Sequence, residues 1–167
     1  MAFFALQAPK PPVATYDAKS DITTYSTGDV RTVGNSGYGA RYEFRGKTPR
    51  TPTSIAMGFG ALRLTHGRAP ERYKEVLHWN DVTTLSLTFN GKTLSYPTVH
   101  SVRESTNRTL IIALGRGLEE GLSISLTPSQ FKDLAAADSI QVQLGRDTQI
   151  IKRKSLGPLK RLAACIP

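Results

Sequence analysis

Apolar side chains recur at every second position through much of this chain, which predicts strands with one face buried and one face wet. In ARYEFRG, Tyr42 and Phe44 share one side while Arg41, Glu43 and Arg45 share the other. SIAMGFGALRL carries Ile55, Met57, Phe59, Ala61 and Arg63 at the same period, and Gly58 and Gly60 fall opposite, where a bend or a close backbone has use for a missing side chain. DITTYSTGDVRTV reads as a further strand from its Thr, Tyr, Val and Ile content, and GNSGYG as the turn after it.

The strongest β signal is DVTTLSLTFNGKTLSYP. Leu85, Leu87 and Phe89 alternate up to Asn90-Gly91, the pair that best tolerates the positive φ of a tight hairpin turn. TLIIALG and GLSISLT predict two more strands, with RGLEEG between them as a loop. PERYKEVLHW fits either a short helix from Pro70 or a strand with Tyr73, Leu77 and Trp79 on one side, so this segment stays open.

The period changes near the C-terminus. Thr127 is placed to cap a helix, Pro128 suits its first position, and Gln130 stands where the reciprocal capping contact is made. A helix from Pro128 to about Ala137 follows, with Phe131, Leu134, Ala135 and Asp138 marking its inner side and boundary. Ile140, Val142 and Leu144 then alternate, Arg146-Asp147 turns the chain, and TQIIKRK returns as the hairpin partner, with Lys152 and Lys154 toward solvent and Arg153 on the other face. Ser155 is the expected cap of a terminal helix in which Leu156, Leu159, Leu162, Ala163 and Ile166 recur at helical spacing.

The order of elements predicts one α+β domain over residues 17–167. Its architecture is an antiparallel β-sandwich or strongly bent sheet with two C-terminal helices, preceded by a flexible Pro-rich segment or signal remnant over residues 1–16. A chain of 167 residues is long enough to bury a core without metal or disulfide support. The lone Cys165 excludes an internal disulfide and an all-cysteine metal site, and its small apolar neighbours predict a buried helix position. No window approaches the roughly 20 apolar residues of a membrane-spanning helix. The opening AFFALQAPKPP has an apolar run, small residues and then prolines, which points to export, with a cytoplasmic tail as the alternative.

Candidate chemistry is sparse. His66, His78 and His100 lie on separate segments without metal-ligand spacing, and Glu71, Glu75 and His78 would line one helix side but read as a solvated face. Glu104 with Glu119 or Glu120 is the one carboxylate pairing worth naming, although the latter two sit in the expected RGLEEG loop. A G-x-S-x-G elbow is absent. The expectation is a protein that is not an enzyme and needs no cofactor.

Net charge is +9, from 22 Lys and Arg against 13 Asp and Glu, and it favours anionic partners without choosing among them. Arg146, Lys152, Lys154, Lys160 and Arg161 are the candidate anion-binding residues. Nucleic acid is the second reading, because no aromatic residue follows Phe131 to interleave with these charges and stack bases.

Taken together, DITTYST, PRTPTSIAMGF, LSLTFNGK and LTPSQFKDLAAADSIQVQLG resemble a loose class of uncharacterised bacterial secreted or periplasmic β-rich proteins. The resemblance spans much of residues 17–165 and supplies no catalytic residue. It implies export and a non-enzymatic binding or structural module of the bacterial envelope or periplasm. The partner would be an unknown protein or an anionic envelope component.

Overall fold

The computed structural model describes residues 12–32, 36–66, 70–105 and 117–167. Its elements are β1 (Val13–Asp17), β2 (Ile22–Ser26), β3 (Val30–Arg31), β4 (Ser36–Arg45), β5 (Ile55–Leu64), β6 (Thr84–Phe89), β7 (Lys92–Pro97), β8 (Val99–Glu104), β9 (Gly117–Leu126), α1 (Pro128–Ala136), β10 (Ser139–Leu144), β11 (Asp147–Lys152) and α2 (Gly157–Ala164). A 3-10 helix covers Pro70–Val76 and another Arg153–Ser155.

Two antiparallel sheets share one core. The larger runs β1-β2-β4-β5-β9-β8, with β3 also paired to β4, and the smaller runs β11-β10-β6-β7. The alternation decides which side of each strand goes in. Tyr38, Ala40, Tyr42 and Phe44 from β4, Ile55, Met57, Phe59 and Ala61 from β5, and Leu122, Ile124 and Leu126 from β9 meet Leu85, Leu87 and Phe89 of β6 and Ile140, Val142 and Leu144 of β10 in one cluster. The α+β architecture with packed antiparallel sheets and two C-terminal helices is the one expected.

Local chemistry sets several boundaries as anticipated. Asn90 and Gly91 take φ of 48° and 72° in the β6-β7 turn. Thr127 accepts from the Gln130 amide while the Gln130 side chain accepts from the Thr127 amide, closing the capping box at the start of α1.

Other boundaries differ. RGLEEG is not a loop, because Gly117 to Gly121 form the first half of β9. Leu118, Glu120 and Leu122 occupy successive inward positions there, and a charge at the middle one disguises the alternation. A Cβ at Gly117 or Gly121 would come 2.9 Å from the end of the Leu62 or the Ser101 side chain, which would have to turn aside. TLIIALG lies outside the described residues. DITTYSTGDVRTV is broken into β2 and β3 by Gly28 at φ 66°.

The PERYKEVLHW segment resolves to the 3-10 helix followed by a loop that buries Trp79. The hairpin turn after β10 is Gly145-Arg146, with Gly145 at φ 61° and Asp147 already paired to Leu144. Ser155 caps nothing, for it belongs to the 3-10 helix and Leu156 holds the N-cap position of α2. Arg153 does not take the other face of β11, because the strand ends at Lys152 and the Arg153 side chain is 79% exposed near Asp138. The first strand begins at Val13, ahead of the boundary drawn at residue 17. Cys165 is half-buried at the C-cap of α2 rather than inside the helix.

Helix α2 is tied to the large sheet by two phenols. The Tyr38 hydroxyl donates to the Ser155 carbonyl and the Tyr42 hydroxyl to the Cys165 carbonyl at 3.0 Å, so both ends of the terminal segment are pinned to β4. Burial pushes the Tyr42 phenol up to about 12 and raises the Tyr38 phenol too, because an anion there would be cut off from water. In the unfolded chain these groups ionise near pH 10. The Tyr42 contribution is therefore whole below pH 10 and is lost as pH rises toward about 12, and the raised Tyr38 phenol acts in the same direction. Urea unfolding followed from pH 9 to 12 will show stability falling across that window, and Tyr42→Phe will flatten the fall. A slope unaltered by the substitution would show that Tyr42 ionises freely in the fold.

Candidate functional site

Two polar assemblies stand out, one closed and one open. The closed one lies where the two sheets meet. Glu120 points inward from β9 with its side chain 0% exposed. One carboxylate oxygen accepts from Arg63 Nε at 2.8 Å and from the His78 amide at 3.1 Å. The other accepts from the Trp79 amide at 2.7 Å and lies 3.3 Å from His100 Nε2. Burial alone would raise this carboxyl, yet Arg63 and the two amides outweigh it and hold Glu120 below the ordinary carboxylate range.

The second half of the assembly gathers around Asp147 at the start of β11. Trp79 Nε1 donates to its Oδ2 at 2.9 Å, Arg63 Nη2 lies 3.6 Å away and His78 Nδ1 3.5 Å away. The Arg63 guanidinium sits over the Trp79 ring at 4.8 Å from its centroid. Strands β5, β8 and β9 of one sheet are thus joined through the 77–81 loop to β11 of the other.

The open assembly lies on the outer face of β1, β2 and β4. Register places Thr15, Thr24 and Glu43 in one row across these strands and Asp17, Ile22 and Arg45 in the next. Two adjoining shallow hollows occur there. One of about 270 Å³ is lined by Thr15, Tyr16, Asp17, Ser20, Ile22, Thr24 and Glu43, and one of about 250 Å³ by Ser20, Ile22, Glu43, Phe44 and Arg45. The Asp17 carboxylate is engaged by the Lys19 amide and the Ser20 hydroxyl, which lowers its pKa, the hydroxyl acting most. Among the described residues, Glu43 and Arg45 make no hydrogen bond or ion pair through their side chains.

The residues singled out from sequence are spread out. Arg146 is exposed in the β10-β11 turn and Lys152 ends β11, so a strand length of about 17 Å separates them. Lys152, Lys154 and Lys160 are exposed, whereas Arg161 is half-buried with its charge beside the Tyr38 phenol. His66 stands in an exposed turn, apart from the assembly that takes in His78 and His100. Glu75 pairs with Arg72 at 2.7 Å, and among the described residues no group of three His, Cys, Asp or Glu is placed to hold a metal ion.

Glu104 stands opposite Leu118 in the β8-β9 register, while Glu119 pairs with Arg103 at 2.6 Å and Glu120 with Arg63, so Glu104 forms a carboxylate pair with neither. Sequence reasoning missed Glu120 as a buried charge, and it missed Arg63, Asp147, Thr15, Thr24 and Glu43 as members of any site. Only the inward period of Arg63 hinted at its role. Among the described residues no helix is long and apolar enough to cross a membrane.

The chain matches no family model, and comparisons with curated proteins and with solved structures find no match.

Proposed function

We propose that this protein is a non-enzymatic binding module whose working surface is the open hollow on β1, β2 and β4. The observation that carries the reading is the contrast between the two assemblies. The acceptor positions of Glu120 are used within the fold, by Arg63, two amides and His100, which suits a fastener better than a catalyst. Glu43 and Arg45 keep their hydrogen-bonding capacity at the surface, beside the hydroxyls of Thr15 and Thr24. Strand β1 buries none of its five residues, so its place in the fold is not explained by the core.

Each hollow is smaller than the roughly 300 Å³ at which small-molecule pockets begin, which favours a side chain or sugar ring of a larger partner over a free cofactor. That partner is a protein or an envelope component offering both hydrogen-bond donors and acceptors. The bacterial envelope or periplasm is the setting proposed with it, and cell fractionation tests that part.

The binding reading is tested by titrating isotope-labelled protein with a strand-forming peptide, a neutral oligosaccharide, anionic vesicles and a DNA duplex in turn. Amide shifts centred on Thr15, Ser20, Ile22, Thr24 and Glu43, abolished by Glu43→Lys, are expected for one of these probes. Shifts centred instead on Lys152, Lys154 and Lys160 that weaken steeply with salt would favour the nucleic-acid reading.

A further inference from the structure

We propose that β1 is the edge through which two copies of this chain pair, strand against strand, about Thr15. The observations begin with how the sheet edges are protected. Open edges invite pairing, and folded proteins guard them with charges, prolines or bulges. Strand β8 carries Arg103 and Glu104, β7 carries Lys92 and Pro97, and β11 begins with Asp147 and ends in Lys152. Strand β1 reads VATYD, with no proline, no basic residue and a single charge at its last position. That charge is drawn into the following turn by Lys19 and Ser20. Two large apolar side chains remain in water there, Val13 at 49% and Tyr16 at 40% exposure.

The strand also complements itself. Paired antiparallel about Thr15, it sets Thr15 against Thr15 of the second copy, Ala14 against Tyr16, and Val13 against Asp17. Threonine opposite threonine is a favourable cross-strand pair, and a small residue beside a ring leaves room for the ring to lie flat. Ala14 and Tyr16 share a face with Tyr25, Tyr42 and Phe44, whose rings already stack, with 5.3 Å between the Tyr25 and Tyr42 centroids. Pairing would bring Tyr16 of each copy across Ala14 of the other toward Tyr25, lengthening that aromatic row.

The ring is already held for the purpose. Tyr16 donates to Asp21 at 3.0 Å and Lys47 Nζ lies 4.8 Å from its centroid, so little ordering is left to do on association. No basic side chain stands on the strand itself, which matters in a chain of net charge +9. On the outer face the same pairing sets the two hollows side by side across the Thr15 pair, making one longer cleft. This last consequence rests on the binding reading above, while the pairing itself does not.

A five-residue edge is short, so the dimer is weak and reversible, below the roughly 1,200 Å² of buried surface typical of stable complexes. Sedimentation equilibrium of the full chain over a wide concentration range is expected to show a monomer–dimer equilibrium, shifted strongly to monomer by Thr15→Pro. Because proline there can also loosen β1 from β2, a second measurement uses Thr15→Cys in a Cys165→Ser background. Directly opposed Cα atoms about 4.5–5.5 Å apart lie within disulfide reach, so oxidation will yield a covalent dimer. Thr24→Cys, one strand further in, will not.

A chain that stays monomeric throughout, and whose Thr15→Cys variant forms no cross-link, overturns the proposal, and if its hollow still binds a probe, the binding reading survives alone. A dimer untouched by Thr15→Pro and equally cross-linked by Thr15→Cys and Thr24→Cys overturns it in favour of another interface. Protection of β1 amides from exchange only when a foreign strand-forming peptide is added overturns it as well, in favour of a heterotypic edge.

Discussion

Glu120→Gln will unfold at markedly lower urea and temperature than the parent protein, because it leaves the Arg63 guanidinium, 15% exposed, with only the longer 3.6 Å contact to Asp147 to offset its charge. Removing one member of a buried ion pair typically costs about 3–5 kcal/mol. At about 2–4 °C per kcal/mol for a domain this size, the melting temperature falls by on the order of 10 °C. Trp79 is the single tryptophan and stands inside the cluster, so its fluorescence reports the transition directly.

A double variant, Arg63→Met with Glu120→Leu, separates charge from hydrogen bonding. Replacing both charges with apolar groups removes the uncompensated guanidinium, but the His78 and Trp79 amides still lose their acceptor, each at about 1–3 kcal/mol. Recovery will therefore be partial. A loss under about 1 kcal/mol for Glu120→Gln would reduce the cluster to the level of an exposed salt bridge. Acid acts on the same carboxylate. Since Glu120 stays ionised in the fold below the ordinary value of 4.5, its contribution is complete above that pH and drains away as pH falls below it. The parent will lose stability in that acid range more steeply than Glu120→Gln.

Phe131→Ala will cost about 3–5 kcal/mol, the usual range for emptying a fully buried phenylalanine site. Phe131 is the fully buried ring of α1, which packs against α2 and β9. The form of the transition matters as much as its midpoint. Phe131, Leu134, Leu159 and Leu162 belong to the same cluster as the inner faces of both sheets, so unfolding will remain a single step with an unchanged urea dependence. A separate early transition in which helical signal disappears while strand signal persists would show the helices to be an independent layer.

What can be read from sequence is whatever a few neighbouring residues decide. The alternation in β4 and β5, the Asn90-Gly91 turn and the Thr127 capping box each depend on a handful of adjacent side chains, and each lies where expected. Glu120 cannot be read that way. It stands between glycines and beside another glutamate, a composition that suggests a wet loop, and it becomes a core residue only because Arg63, 57 positions away, and the Trp79 amide, 41 positions away, arrive to satisfy it. The hollow is hidden for a related reason. Thr15, Thr24 and Glu43 form a row only once the register of β1, β2 and β4 is set, and no local pattern specifies that register across the intervening turns. Gly145 shows a smaller version of the problem. The dipeptide Arg146-Asp147 reads as the turn, but the positive φ falls one residue earlier, at Gly145, which takes it with no Cβ to clash.

The pinning of α2 by Tyr38 and Tyr42 bears on the order in which the chain can mature. Those contacts join residues 117 and 123 positions apart, so β4 is made long before the segment that covers it. During synthesis Tyr38 and Tyr42 must wait for their acceptors until Ser155 and Cys165 have emerged, and contacts made over so long a separation slow the completion of folding. A chain stopped before residue 155 would leave both phenols without these acceptors, so the α2 segment is what finishes the inner side of β4.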